Sequence, residues 1–466
     1  MNRWIGAVTL VSVATSVWVE SAVAAGEWTN IQGMGMARTF VASSRGLDAV
    51  GLNPANLAVP GRNTVTVGLM PFGAQFGVDF MTYELYEEYF TGEKESGGRI
   101  GRLLTDADKR TLLASFPDGA GRGSAHVEAR PIGVFLQLPE YGNLALTITE
   151  YGSMNFMVPQ DFAEFLLYGN PPGSSYDLSQ TSAQVMWLRE YALSYARELP
   201  VPEFVHSLSA GVAVKVIHGF GCFEIERANT RFTTGMDGIL HGNMDFGGRM
   251  AGIDPIRGGE DAAYQPFPAP AGTGWGLDLG IASDITRYLR AGVSVTDIGS
   301  VEWTRNLERV VSSGVVTVDN PLEETQRDSL EDAVTGERIP GTPFSTPLTT
   351  MFRVGAAVEL HKVPVLRGFL WGEWMFACDF NIGLVDGAAG PQTGRLSMGL
   401  EFKPWRFLPL RTGVSFGGPD RYNFALGVGF HFGVFDLDLA SEHLNFLFSE
   451  AALDHGAIAM GMRIRI

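Results

Sequence analysis

From Thr393 to Ile466 the chain alternates apolar residues with polar or very small ones, and that pattern leaves few folds open. Leu396, Met398, Leu400 and Phe402 are separated by Ser397, Gly399 and Glu401. Tyr422, Phe424, Leu426, Val428 and Phe430 are separated by Asn423, Ala425, Gly427 and Gly429. The final stretch sets Ile458, Met460, Met462, Ile464 and Ile466 against Ala459, Gly461, Arg463 and Arg465. A period of two means a strand with one wholly apolar face. The pattern recurs over 143–149, 207–216, 275–282 and 352–359. Such strands, ending on an apolar residue, suit a transmembrane barrel that closes its last strand on its first.

The connections support this reading. Short ones fall at 139–143, 198–206, 283–287, 361–366, 404–409 and 432–434. Long ones fall at 81–122, 152–181, 220–273, 299–349, 385–393 and 442–455, and only 417–421 is short among them. Barrels of the bacterial outer membrane have short periplasmic turns and long outer loops. The expectation is therefore an all-β, transmembrane antiparallel barrel of roughly 14 strands over 62–466, with both termini periplasmic. Short helices are expected in the outer loops. Thr105 to Asp108 has the form of a capping box. Phe162, Phe165 and Leu166 share one helical face before Gly169, and Asn320-Pro321 suits a helix start.

Arg3, the apolar run from Trp4 to Val19 and the small residues up to Ala25 predict a secretory signal peptide over 1–25. Charged residues are only 18 % of the chain, while Gly (58) and Phe (30) are abundant, as a wall facing lipid requires. A formal net charge of −17 argues against nucleic acid as a partner. Cys378 is in phase with Trp374, Phe376 and Phe380, and Cys222 with Glu224 and Glu226. The two thiols should point to opposite faces and remain unpaired.

The polar phase of the strands places Arg353, Glu359, Arg395, Glu401, Arg411, Asp436, Asp438, Arg463 and Arg465 in the lumen. The last two strands run antiparallel, so Asp436 and Asp438 should meet Arg463 and Arg465 near one rim. Cross-strand pairs of this kind contribute about 0.2–1 kcal/mol each. On the lipid face Leu400→Arg should impair assembly by about 2–4 kcal/mol, whereas Gly399→Ser should be silent.

About thirty-five small and polar residues precede the first strand. They include Gly33 to Arg38 and the stretch Asp48-Ala49-Val50-Gly51-Leu52-Asn53-Pro54-Ala55. This resembles the N-terminal segment of FadL/TodX-type outer-membrane transporters and of the related PorV-type barrels, where an acidic residue precedes an N-P-A turn. Those families usually have Gly next, and this chain has Asn56. The resemblance implies a 14-stranded barrel with an N-terminal hatch, here 26–61, inside its lumen. For the transporters it implies passage of hydrophobic small molecules; for the PorV type, anchoring of a secreted partner. Asp48, Asn53, Pro54 and Ala55 are the residues that would form the hatch turn. Asn53 should lock it, and Asp48 should meet a lumenal arginine such as Arg395 or Arg411. Lumenal Gly and Ala leave room for a backbone to lie against the wall.

Catalysis is not expected. Gly413-Val414-Ser415-Phe416-Gly417 has the G-x-S-x-G spacing, but it lies within an alternating strand rather than at a strand-turn-helix elbow. No histidine spacing suits zinc, and no loop around Asp436 and Asp438 suits calcium, so neither cofactor nor metal is expected. The expected partners are outer-membrane lipid, the barrel-assembly machinery of a Gram-negative cell during biogenesis, and hydrophobic small molecules. Two functions compete: passive transport of apolar or amphipathic compounds, and an assembly barrel of PorV type. Phe267, Pro268, Pro270 and Phe344 in the loops suit either.

Overall fold

The computed structural model describes residues 26–59, 64–95, 98–201, 205–252, 269–319, 323–385, 393–418, 422–444 and 455–466. The leader expected over 1–25, the helix start at Asn320-Pro321 and the loop residues Phe267 and Pro268 lie outside them. Fourteen strands form one closed antiparallel wall. They are β1 (Val65–Val78), β2 (Ala120–Leu138), β3 (Gly142–Pro159), β4 (Ser182–Leu199) and β5 (Ser207–Ala228). Then follow β6 (Gly272–Asp284), β7 (Leu289–Trp303), β8 (Met351–Glu359), β9 (Glu373–Gly383) and β10 (Arg395–Trp405). The wall ends with β11 (Leu408–Gly417), β12 (Tyr422–Phe432), β13 (Phe435–Glu442) and β14 (His455–Arg465). Each pairs with the next, and β14 pairs with β1 from Thr66↔Arg465 to Gly77↔His455. Closure removes the exposed edges that an open sheet would leave. The first strand begins at Val65, slightly later than the expected boundary at 62.

The two faces separate as the alternation requires. In β14, Ile458 and Met460 are 63 % and 48 % exposed, while Ala457 and Ala459 are 3 % and 4 %. The outward face is apolar around the barrel, from Phe76 and Leu146 to Ile281, Leu410 and Leu439. Aromatic rings cluster at the rim with the short turns. Trp374 stacks on Phe402 at 4.0 Å, and Phe407 lies 5.8 Å from Trp405 and 5.5 Å from Phe432. An apolar band with an aromatic border is the form a barrel takes in lipid. No described helix is long and apolar enough to cross a membrane. Cys378 is half-buried between Phe376 and Phe380 on the outward face; Cys222 is buried in the lumenal cluster around Trp303; both are free thiols.

The long loops differ from the expectation. Beyond the rim, β5 pairs with a strand at Leu240–Ala251, which pairs in turn with Leu307–Val318. Arg231–Thr234 and Ser175–Asp177 extend the same sheet. Gly242, Gly247 and Gly248 interrupt the alternation there, which hides these strands in the sequence. The helices fare better. Asp106–Ala114 carries the expected capping box, with Thr105 and Asp108 bonded reciprocally. Gln160–Tyr168 ends at Gly169 (φ 71°), but only Phe165 packs inward, 5.4 Å from Tyr176 and 5.8 Å from Phe232. Phe162 and Leu166 are exposed. The helix Tyr83–Phe90, capped by Thr82, was not expected.

Candidate functional site

Residues 26–59 run through the barrel interior, and nearly all are buried. Their backbone is pressed against lumenal glycines around the wall. A Cβ on Gly413 would stand 2.3 Å from the Met36 carbonyl carbon, and one on Gly211 would stand 2.3 Å from that of Pro54. A Cβ on Gly73 would meet the Trp28 carbonyl oxygen at 2.2 Å. These glycines are selected by close approach of a second backbone rather than by turns. Gly399 belongs to the same set, because a Cβ there would lie 2.5 Å from Met36 Cβ. The expectation that Gly399→Ser is silent is therefore corrected: the lumen is filled at that point.

Buried backbone needs hydrogen-bond partners, and wall side chains supply many of them. The Asp379 carboxylate accepts from the amides of Phe40 (2.6 Å) and Val41 (2.7 Å). Glu128 accepts from the Gly26 amide and the Thr29 hydroxyl. Asn143 donates to the Leu57 carbonyl, and Ser294 to that of Leu52. Asn53 caps the 3-10 turn Pro54–Ala58: its oxygen accepts from the Ala55 amide at 3.2 Å. Its amide group donates to Val41 at 3.1 Å and, across to β6, to Ile281 at 3.4 Å. Pro54 and Ala55 are buried in that turn, as the N-P-A pattern leads one to expect.

All nine charges assigned to the lumen point inward, and they form pairs. Arg353 binds Glu27 at 2.8 Å, with Arg395 and Arg38 each 3.6 Å from the same carboxylate. Arg38 also binds Glu442 at 2.8 Å. Arg411 bridges Glu401 (2.8 Å) and Asp438 (2.7 Å). Arg463 reaches Asp438 at 3.3 Å and Arg465 reaches Asp436 at 2.5 Å, the cross-strand pairs expected of β13 and β14. Glu359 holds Arg45 at 2.9 Å. Asp48 binds Arg463 at 2.7 Å, so the expected partners Arg395 and Arg411 are corrected. They are already occupied by Glu27 and by the pair Glu401 and Asp438. For Glu27, burial alone would raise the carboxyl, but Arg395, Arg353 and Arg38 outweigh it and bring it down to about 2.

The segment divides the lumen. On its short-turn side lies a vestibule of about 1630 Å³, lined by Arg45, Asp48, Glu359, Lys403, Asp436 and Arg465 among others. On the long-loop side the lining becomes apolar. Tyr151, Leu188, Ile217, Val301 and Trp303 form one buried cluster, with Met186, Phe344 and Leu348 packed on it. Within it is a cavity of about 40 Å³ whose polar lining is Glu190, Asp297, Thr346 and Thr349. A bulge in β7 shapes this place: the register with β6 jumps between Leu277 and Leu279, and Asp297 has φ 59°. Bulges re-aim side chains beside sites. The sequence reading missed Lys215, Glu190, Asp278 and Asp297 as a group, although Lys215 stands on the polar phase of its strand. Ser415 is buried in the middle of β11, opposite Ser397 and with no elbow, so the G-x-S-x-G spacing is a strand feature.

A family model described as "Family of unknown function (DUF5723)" matches residues 58–442. A search of the curated proteins found no match. Among solved structures the chain is similar to the toluene transporter TbuX of Ralstonia pickettii, at 11 % identity over 95 % of this chain and 99 % of that one, with a TM-score of 0.49. It is similar to the P. putida toluene transporter TodX at 10 % identity, covering 96 % and 99 %, TM-score 0.47. A Pseudomonas aeruginosa FadL homologue aligns at 12 % identity over 96 % and 100 %, TM-score 0.44.

Proposed function

We propose, for a chain that belongs to the family of unknown function DUF5723, passive passage of hydrophobic or amphipathic small molecules through an outer-membrane barrel. In this reading the short turns and both termini face the periplasm, and residues 26–59 are the hatch. One observation carries it: the apolar lining by Tyr151, Leu188, Ile217, Val301 and Trp303 on the long-loop side of residues 26–59, opposite a vestibule lined by charged residues. A water-filled pore has a polar interior throughout. Burying large aromatic and aliphatic side chains in the lumen away from lipid is useful when an apolar body must lodge there. The cavity as it stands is small, so entry requires Met186 and Leu348 to swing aside. Met is suited to this by its unbranched, adaptable chain. The polar vestibule then receives the molecule once the hatch yields.

Native mass spectrometry of the purified barrel tests this. The protein should retain an apolar lipid or nonionic detergent molecule, and Ile217→Glu should release it. Absence of any retained apolar molecule from the intact protein, with none taken up on addition, would contradict the reading.

A further inference from the structure

Three adjacent strands carry a hatch contact and then a charge along the lumen, and two of them continue to the apolar cavity. In β5, Gly211 touches the hatch at Pro54, Lys215 follows, and Ile217 lines the apolar cavity. In β6, Gly280 touches Asn53, and Asp278 stands next on the same face. In β7, Gly292 touches Val41, Asp297 follows, and Val301 lines the cavity. A layer of charge thus separates the hatch from the apolar pocket.

That layer does not balance. The Lys215 ammonium lies 2.6 Å from Asp297, 3.0 Å from Asp278 and 3.3 Å from Glu190. None of these side chains is more than 9 % exposed. Three carboxylates therefore share one ammonium. The next cation, Arg130, is shared among Glu128 of its own strand, Glu190 and Asp48 and donates to the Leu47 carbonyl, so it offsets the deficit only in part. Burial of unpaired carboxylate is costly. One carboxylate oxygen is also open. Asp297 has its first oxygen on Lys215, while its second is buried and has no hydrogen-bond partner among the described residues. Asp297 itself lines the apolar cavity.

We propose that this carboxylate layer is the headgroup end of the site, and that the pocket takes apolar molecules bearing a protonated amine. This rests on the reading of the barrel as a conduit for amphipathic molecules, and it narrows their class. The apolar body would lie among Tyr151, Leu188, Ile217 and Val301. The ammonium would donate to the open oxygen of Asp297 and to Glu190, and so supply the missing positive charge. A neutral alcohol of the same length fills the same pocket but offsets no charge. An anionic analogue adds to the surplus and is rejected.

The test compares octylamine, octan-1-ol and octanoate binding to the full chain in a nonionic detergent by competition against a pocket-bound apolar fluorophore. The amine should bind more tightly than the alcohol by roughly tenfold or more, the worth of a charge-assisted hydrogen bond in a buried site. Octanoate should bind weakest. Asp297→Asn should abolish the preference for the amine over the alcohol. Equal binding of amine and alcohol by the intact protein overturns this inference while leaving the conduit reading standing. Failure of all three ligands to displace the fluorophore overturns both. The ligand comparison on the intact protein decides the matter even if the variant does not assemble.

Discussion

Gly413→Val combined with Gly211→Val is expected to turn a nearly closed barrel into a conducting one. Each new Cβ would stand 2.3 Å from a carbonyl carbon of the N-terminal segment, at Met36 on one side and at Pro54 on the other. Overpacking of a core usually costs about 1–3 kcal/mol because side chains rotate away. Here the obstructing atoms are backbone on both sides, so the segment itself must shift. The stretch facing Gly413 has little freedom to absorb that shift. Ala37 and Arg38 already hold φ values of 53° and 60°, a region that side-chain-bearing residues seldom adopt. The two glycines stand on separate parts of the wall, so their effects should add. Single-channel conductance in a planar bilayer should rise for each variant and most for the pair. Gly456→Ala, whose Cβ would meet nothing within 4 Å, should not change it. Heat-modifiable migration should stay normal in all of them, because no wall register is altered. Unchanged conductance in the assembled double variant would mean that these glycines do not hold the segment in place.

Arg353→Met should loosen the start of the same segment and make its anchoring more sensitive to acid. Arg353 and Glu27 are both buried, and removing one partner of a buried ion pair typically costs about 3–5 kcal/mol. Arg395 and Arg38, each 3.6 Å from Glu27, remain, which points to the lower end of that range. The pH dependence follows from the carboxyl. Its ordinary value of 4.5 falls to about 2 in the folded protein. A depressed value stabilises the folded arrangement above 4.5, and that stabilisation is lost as the pH falls through about 2. The shift corresponds to about 3 kcal/mol. Pepsin digestion of the membrane-embedded protein between pH 4.5 and 2 reads this directly. The wild type should resist cleavage within 26–59 until the low end of the window. Arg353→Met should yield at higher pH, and Glu27→Gln should lose this component of the pH dependence. Identical profiles for wild type and Glu27→Gln would remove Glu27 as the anchor.

The wall was legible because lipid on one side and a packed lumen on the other enforce a strict period of two. The N-terminal segment was legible through Asn53-Pro54-Ala55 and through glycines at lumenal positions. What failed depended on three-dimensional closure. Asp48 pairs with Arg463 because β14 returns beside β1, whereas the expected Arg395 and Arg411 already have acidic partners. Gly399 looked open because no strand pattern shows what lies across a lumen. The sheet beyond the rim was hidden by glycines within Leu240–Ala251. The apolar pocket was hidden by phase: Ile217 and Val301 stand on faces that carry polar residues lower in the same strands. The bulge at Asp297 shifts the phase of β7 locally, and a strict alternation has no place for it.

In the proposed reading, residues 26–59 close a barrel through which small molecules pass. Conductance of the protein lacking 27–57, reconstituted in a planar bilayer beside the full chain, tests it most directly. The full chain should give small or no current and the deletion a large, steady one, since the vestibule of about 1630 Å³ would then open through the barrel to the long-loop side. Equal conductance of the two proteins, each shown to be assembled by its heat-modifiable migration, would contradict it.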